Sequence, residues 1–197
     1  MAKKVPGKNL HYQNITISGL ICTGTSTLAA FLKEKLGWEH KNLGQLTREF
    51  AAQNNIPLEL AASQSDEFER KKDLYLCKSS LENGKEQIIE GWLSGFMAEN
   101  IKDVLKVLLV CSDESVRIDR LVNRDNITVE EAKNQIKTRE KESLQKWSSL
   151  YQTADFWNPK FYDIVIDTYS HSREETLDAV LRKLGYFDWL ESQVKHD

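Results

Sequence analysis

Residues 14–19, NITISG, form a β-branched run that stops at glycine, and the following TSTLAAFLKEKLG shows helical spacing that stops at Gly37. That change of period across a glycine predicts strand, turn and helix in succession. A short second strand is expected near 39–43, and 45–82 reads as helices broken near Asn54-Asn55-Ile56-Pro57. EQIIEG (86–91) and VLKVLLVCS (104–112) are short apolar runs, the pattern of strands buried on both faces of a parallel sheet. A helix is expected over about 113–124. Thr128 and Glu131 then form a capping-box pattern opening a longer helix to about residue 151. Val129, Ala132, Ile136, Trp147 and Leu150 supply its apolar stripe. FYDIVIDT (161–168) reads as the last strand, and Ser172 with Glu175 caps a final helix. Strands alternating with helices imply an α/β fold with a parallel sheet and right-handed crossovers. Ligands on such a sheet bind beyond the carboxyl ends of the strands, where the glycine turn and Glu90-Gly91 both emerge.

Composition narrows the class. The 197 residues fit one domain with room for a small inserted lid. A net charge of −3 with 29% charged residues argues against a binder of nucleic-acid polymers, which carries a strongly basic footprint. No apolar run approaches the roughly 18 residues that span a bilayer, so no membrane partner is expected. MAKKVPGKNLHYQ has lysines without a following apolar stretch, unlike a secretory signal, and 1–13 is expected to be a flexible arm. Cys22, Cys77 and Cys111 are odd in number and lack C-x-x-C spacing. They suggest a reducing, cytoplasmic setting and no structural metal. The four histidines are scattered and each is expected at the surface.

The turn itself carries chemistry. Gly19 and Gly24 have the spacing of the phosphate-binding pattern G-x-x-x-x-G-K-[ST], and Ser26 stands where a hydroxyl meets magnesium. Thr25 occupies the lysine position. Backbone N–H groups leading into a helix N-terminus hold phosphate without any side chain, so the change removes one charge and leaves the cradle. A plain strand-to-helix turn is the alternative. The agreement of the glycines, Ser26, Thr27 and the strand before them favours a nucleotide loop. It comprises Gly19, Leu20, Ile21, Cys22, Thr23, Gly24, Thr25, Ser26 and Thr27.

Further elements follow in order: GQLTREFA (44–51), NNIPLELAA, DEFERKKD, IIEGWLSGFM (88–97), RLVNRDNITVEEA (120–132), TREKE (138–142) and YDIVIDT (162–168). With GTST (24–27) they make the chain, over about 14–185, resemble the P-loop nucleoside monophosphate kinases, specifically the archaeal-type cytidylate kinases. The resemblance implies a P-loop kinase fold: a five-stranded parallel sheet flanked by helices. A helical acceptor-binding insert at about 44–84 and a lid at about 120–145 would complete it, leaving 186–197 as a packed helical tail. It also implies ATP-dependent phosphorylation of CMP or dCMP with Mg²⁺, in a monomer whose partners are small nucleotides. Arg120, Arg124 and Arg139 match the lid cations that act in catalysis. Arg48 matches the group that holds the acceptor phosphate, and Asp66, Glu69 and Asp73 match acidic positions. Asp73, Gly91, Trp92 and Asp155 join Arg48 as acceptor-site candidates, and Ser26 with Glu90 would hold magnesium, Glu90 directly or through water.

Three positions depart from the pattern. Cys22 stands where the family has a loop glycine, which matters only if φ there is positive. Leu43 takes a site often small or polar. Trp92 replaces the arginine of the EGR element and cannot neutralise phosphate. Two other readings stay open: a degenerate module that binds nucleotide without transferring phosphate, and a kinase for another small acceptor.

Overall fold

A computed structural model describes residues 4–53 and 65–194. Its centre is a five-stranded sheet in the order β2-β3-β1-β4-β5, with every neighbouring pair parallel. The strands are β1 (Asn14–Gly19), β2 (Glu39–Asn42), β3 (Gln87–Glu90), β4 (Val104–Val110) and β5 (Ile164–Asp167). β1 and β3 are buried at every position, as strands covered on both faces must be. The polar EHKN of β2 and the half-exposed IVID of β5 lie at the edges.

One face is covered by α1 (Thr25–Leu36), α8 (Arg173–Leu184) and α9 (Tyr186–Val194), which share a core with Ile15, Ile17 and Val107 of the sheet. The tail helix belongs to that core through Tyr186. The other face holds α5 (Ser94–Met97) and the helical stretch α3 (Asp66–Lys71), a wide i→i+5 segment (Lys72–Ser79) and α4 (Ser80–Asn83). The wide segment leaves no mark in the hydrophobic spacing. α2 (Leu43–Gln53) follows β2 directly. α6 (Glu114–Asp125) and α7 (Val129–Tyr151) form a hairpin at the carboxyl end of the sheet and pack on Ile21. Both capping boxes are present, at Thr128–Glu131 and Ser172–Glu175.

Several expectations change. Residues 4–13 are not a loose arm. Val5 is 2% exposed, its N–H donates to Leu36 O at 2.9 Å, and Trp38 Nε1 donates to Val5 O at 2.8 Å. Trp38 needs both an apolar cover and an acceptor for its indole N–H, and the arm supplies them. The last strand begins at Ile164 rather than 161, because Asn158 caps a short 3₁₀ turn starting at Pro159. Val129 is 50% exposed as the first residue after the Thr128 cap, whereas Ala132, Ile136 and Trp147 of the same stripe are buried. The break near Asn54–Pro57 lies outside the described residues. Among those described, no helix is long and apolar enough to cross a membrane.

Candidate nucleotide site

β1 and β3 pair with Ile17 opposite Glu90, so the glycine loop and Glu90 leave the sheet side by side at its carboxyl edge. There they open a cleft of about 620 Å³. The loop from Leu20 to Thr27, apart from Thr23, forms its floor. Arg48 of α2, Glu90-Gly91-Trp92, Arg120 and Arg124 of α6 and Arg139 of α7 also line it, as do Thr168 and Arg173. Gly19 and Thr23 lie behind it. A Cβ on Gly19 would meet Leu109 O at 2.7 Å, and the Thr23 hydroxyl donates to Leu20 O at 3.0 Å.

Two loop residues have left-handed backbone, Cys22 at φ 59° and Gly24 at φ 97°. The glycine usual at position 22 is thus a conformational preference that cysteine meets at a cost. Burial pushes the Cys22 thiol pKa up against the pull of Arg124, whose Nη1 lies 3.9 Å from Sγ. Cys22→Gly should keep ATP affinity within about twofold, whereas β-branched Cys22→Val should weaken it about tenfold. Calorimetric titration checks both.

Glu90 is 6% exposed and organises one side of the cleft. Its Oε1 accepts Thr25 Oγ1 at 2.9 Å and Ser26 Oγ at 2.5 Å. Its Oε2 pairs with His40 Nε2 at 3.1 Å and accepts Asn42 Nδ2 at 2.6 Å. Four partners occupy both oxygens, so the carboxylate plane is fixed. The Thr25 hydroxyl, standing in the lysine position, thereby orients Glu90. His40 corrects the surface expectation for histidines: it is half-buried on β2 and belongs to the site. A single histidine in a four-residue polar strand gives no spacing signal that would have found it. The adjacent Ser26 hydroxyl and Glu90 carboxylate suit magnesium, a hard cation that binds one or two carboxylates and completes its shell with phosphate and water.

The arginines differ in their commitments. Arg120 Nη1 donates to Cys22 O at 3.1 Å and Thr168 Oγ1 at 3.0 Å, and its Nη2 donates to Thr168 O at 2.9 Å. It grips the loop by the Cys22 carbonyl while also lining the cleft. Arg124 forms a fork with the neighbouring Asp125, at 2.7 and 2.8 Å. Among the described residues, Arg48 and Arg139 have no hydrogen-bond or ion-pair partner. Burial, with like charge from Arg124 and Arg48, lowers the Arg139 pKa. These are cations facing one another, an arrangement that an anion relieves.

Two acceptor-site candidates lie elsewhere. Asp73 is 2% exposed and accepts Tyr151 Oη at 2.5 Å, while Glu69 accepts Trp147 Nε1 at 3.3 Å. These carboxylates tie the helical stretch 66–79 to α7 instead of lining the cleft. Burial and the facing Asp73 push the Tyr151 phenol pKa up. Asp66 is exposed at the start of α3. Asp155 is exposed and accepts Asn158 Nδ2 at 2.9 Å and Lys160 Nζ at 3.1 Å, contacts that hold its pKa down. Trp92 does line the cleft. Its ring meets Trp147 edge-on at 5.2 Å, and its carbonyl accepts Trp157 Nε1 at 3.0 Å. Leu43 is buried against Gly91, where an added Cβ would meet Leu43 Cδ1 at 2.9 Å. Two of the three departures from the family pattern, Leu43 and Trp92, therefore adjoin Gly91 of the cleft wall.

Comparison with known proteins gives a consistent result. The profile described as the cytidylate kinase-like family matches residues 14–170. A cytidylate kinase of Methanopyrus kandleri is 35% identical over 176 residues, 84% of this chain and 90% of that protein. One from Methanothrix thermoacetophila is 36% identical over 171 residues, 85% of this chain and 95% of that protein. Among solved structures, a shikimate kinase from Acinetobacter baumannii bound to shikimate matches with a TM-score of 0.56 at 15% identity, covering 90% and 96% of the two chains. A gluconokinase from Sinorhizobium meliloti 1021 matches at 0.58 and 14% identity, covering 97% and 99%. These two structures share the fold alone.

Proposed function

The chain belongs to the cytidylate kinase-like family, and from that premise we propose that it is a nucleoside monophosphate kinase transferring the γ-phosphoryl group of ATP to CMP or dCMP. The observation that carries the reading is the meeting, in one cleft, of the loop's backbone N–H groups, the Ser26–Glu90 pair and the unpaired Arg48 and Arg139. In phosphoryl transfer the protein's task is to position the reactants and neutralise charge. The N–H groups of Cys22, Gly24, Thr25, Ser26 and Thr27, without partners among the described residues, would cradle the donor phosphates. Ser26 would hold magnesium directly and Glu90 directly or through water, and the ion would screen the phosphate oxygens. Arg48 would hold the acceptor phosphate in a planar fork. An acceptor phosphate oxygen then attacks the γ-phosphorus and the bond to the ADP oxygen breaks. Arg139, with Arg124 beside it, would meet the charge spreading over the transferring group. Asp73 and Asp155 have no place in this scheme. The three free thiols fit a reducing compartment, and we assign the reaction to the cytoplasm.

Trp92 favours a second reading, a nucleotide-binding module without turnover, since it removes a cation from the acceptor side. A panel of nucleoside monophosphates with radiolabelled ATP separates the two. CMP and dCMP should be phosphorylated faster than AMP, GMP or shikimate. Equal turnover of a competitor would overturn the base assignment, and ATP binding without product from any acceptor would establish the module.

A further inference from the structure

Three of the loop's carbonyls are held by donors from two places, α6 and the residue after β5. Ile21 O accepts Arg117 Nε at 2.9 Å, Cys22 O accepts Arg120 Nη1 at 3.1 Å, and Thr23 O accepts Thr168 Oγ1 at 3.0 Å. The Thr168 hydroxyl also lies 3.1 Å from Val110 O. Its one proton is thus shared between two carbonyls, of which Thr23 O is marginally the nearer. Arg117 is 9% exposed and ion-paired with Glu140, which in turn accepts the Ile21 N–H at 3.3 Å.

In a planar trans peptide, the carbonyl of one residue and the N–H of the next point opposite ways. Drawing the carbonyls of residues 21, 22 and 23 outward therefore turns the N–H groups of Cys22, Thr23 and Gly24 the other way. Thr23 N–H bonds Leu20 O at 3.3 Å. The N–H groups of Cys22 and Gly24, both cleft-lining residues, have no partner among the described residues. Left-handed backbone at these same two residues gives the loop the concave form that gathers N–H groups around an anion.

We propose that Arg117, Arg120 and Thr168 are positioning residues, a brace on the loop's carbonyls that aims the Cys22 and Gly24 N–H groups at the donor's phosphate chain. The brace rests on the donor-site reading above and adds to it in two ways. It gives Arg120 a role through the loop, replacing the lid-cation role expected from sequence. It also includes Arg117 and Thr168, to which the resemblance assigned no role. The missing lysine at position 25 gives the shape of the backbone cradle a larger share of phosphate binding.

Thr168 provides the cleanest test, since Thr168→Val preserves shape and removes the hydroxyl. Binding of ATP and of inorganic tripolyphosphate, which has no base or ribose, is measured by calorimetry beside the unfolding temperature. Thr168→Val should weaken both ligands by the same factor, about tenfold for one hydrogen bond. Its kcat at saturating ATP should change less than twofold, and Thr168→Ser should restore both affinities. A paired Arg117→Met/Glu140→Met variant removes the second strut without stranding a buried charge and should also weaken both ligands equally. Loss of ATP affinity alone would show that Thr168 touches the nucleoside and overturn the proposal. So would unchanged binding, or a Thr168→Ser variant as defective as Thr168→Val. Wild-type protein that binds ATP but not tripolyphosphate would overturn the brace and spare the kinase reading. Protein that binds neither would remove both.

Discussion

Gly24→Val should abolish useful ATP binding, raising the dissociation constant at least about a hundredfold, while leaving the fold intact. Packing is not the cause: a Cβ at Gly24 would meet only Thr168 Cγ2, at 3.8 Å. Two other effects combine. The backbone at φ 97° is one that β-branched residues strongly resist, so relaxation would rotate the flanking peptides and swing the Gly24 N–H out of line. If the backbone holds, the isopropyl group stands in the cleft beside the phosphates. Titration calorimetry reads the loss, and thermal unfolding shows that the sheet survives. Gly24→Ala should lie between the two proteins. Unchanged ATP affinity in Gly24→Val would mean that residues 18–29 are only a turn.

Arg139→Ala should lower kcat about a hundredfold with a much smaller change in ATP affinity, whereas Arg48→Ala should chiefly raise the KM of the acceptor. The split follows from when each cation meets its charge. Arg48 is exposed at the cleft edge, and the phosphate it would hold carries its charge before the reaction begins. Arg139 is more deeply set, and burial is the leading cause of its lowered pKa. A cation held there against the repulsion of Arg124 and Arg48 gains most when negative charge spreads over the transferring group, which is the condition for raising kcat. Steady-state kinetics with each substrate varied in turn distinguishes the two variants. A kinetically silent Arg139→Ala would defeat the assignment.

The sequence made the frame of this site readable because each part carries its own local mark. β1, the loop and α1 switch period within a few residues, and Glu90 ends an apolar run as an isolated carboxylate. The helix caps were legible for the same reason, since Thr128–Glu131 and Ser172–Glu175 bond within one turn. What escaped depends on distant partners. His40 and Asn42 matter because β2 pairs with β3, a register that EHKN alone does not encode. Val5 is structural because it meets Trp38, and the lysines around it suggested an exposed arm. Arg120 looked like the other lid arginines until its carbonyl partners were in view. Asp73 matched an acidic motif position, yet its carboxylate meets the Tyr151 phenol across the fold.

The contacts on the loop's carbonyls also bear on the order of assembly. The residues that hold the carbonyls of Ile21, Cys22 and Thr23 lie 96, 98 and 145 positions further along the chain. At ~5–20 residues per second on the ribosome, roughly 7–30 seconds separate the making of Thr23 from the making of Thr168. β1 waits through the first part of that interval, until β3 is made from Gln87 and β4 from Val104. Until Arg117, Arg120 and Thr168 are made, the carbonyls of the loop lack the donors that hold them in the finished fold. A nucleotide bound there would stabilise the finished domain by mass action, and would find the loop incomplete while the chain is emerging. A ligand of this loop would thus act as a clamp on a completed protein and not as a template for making one.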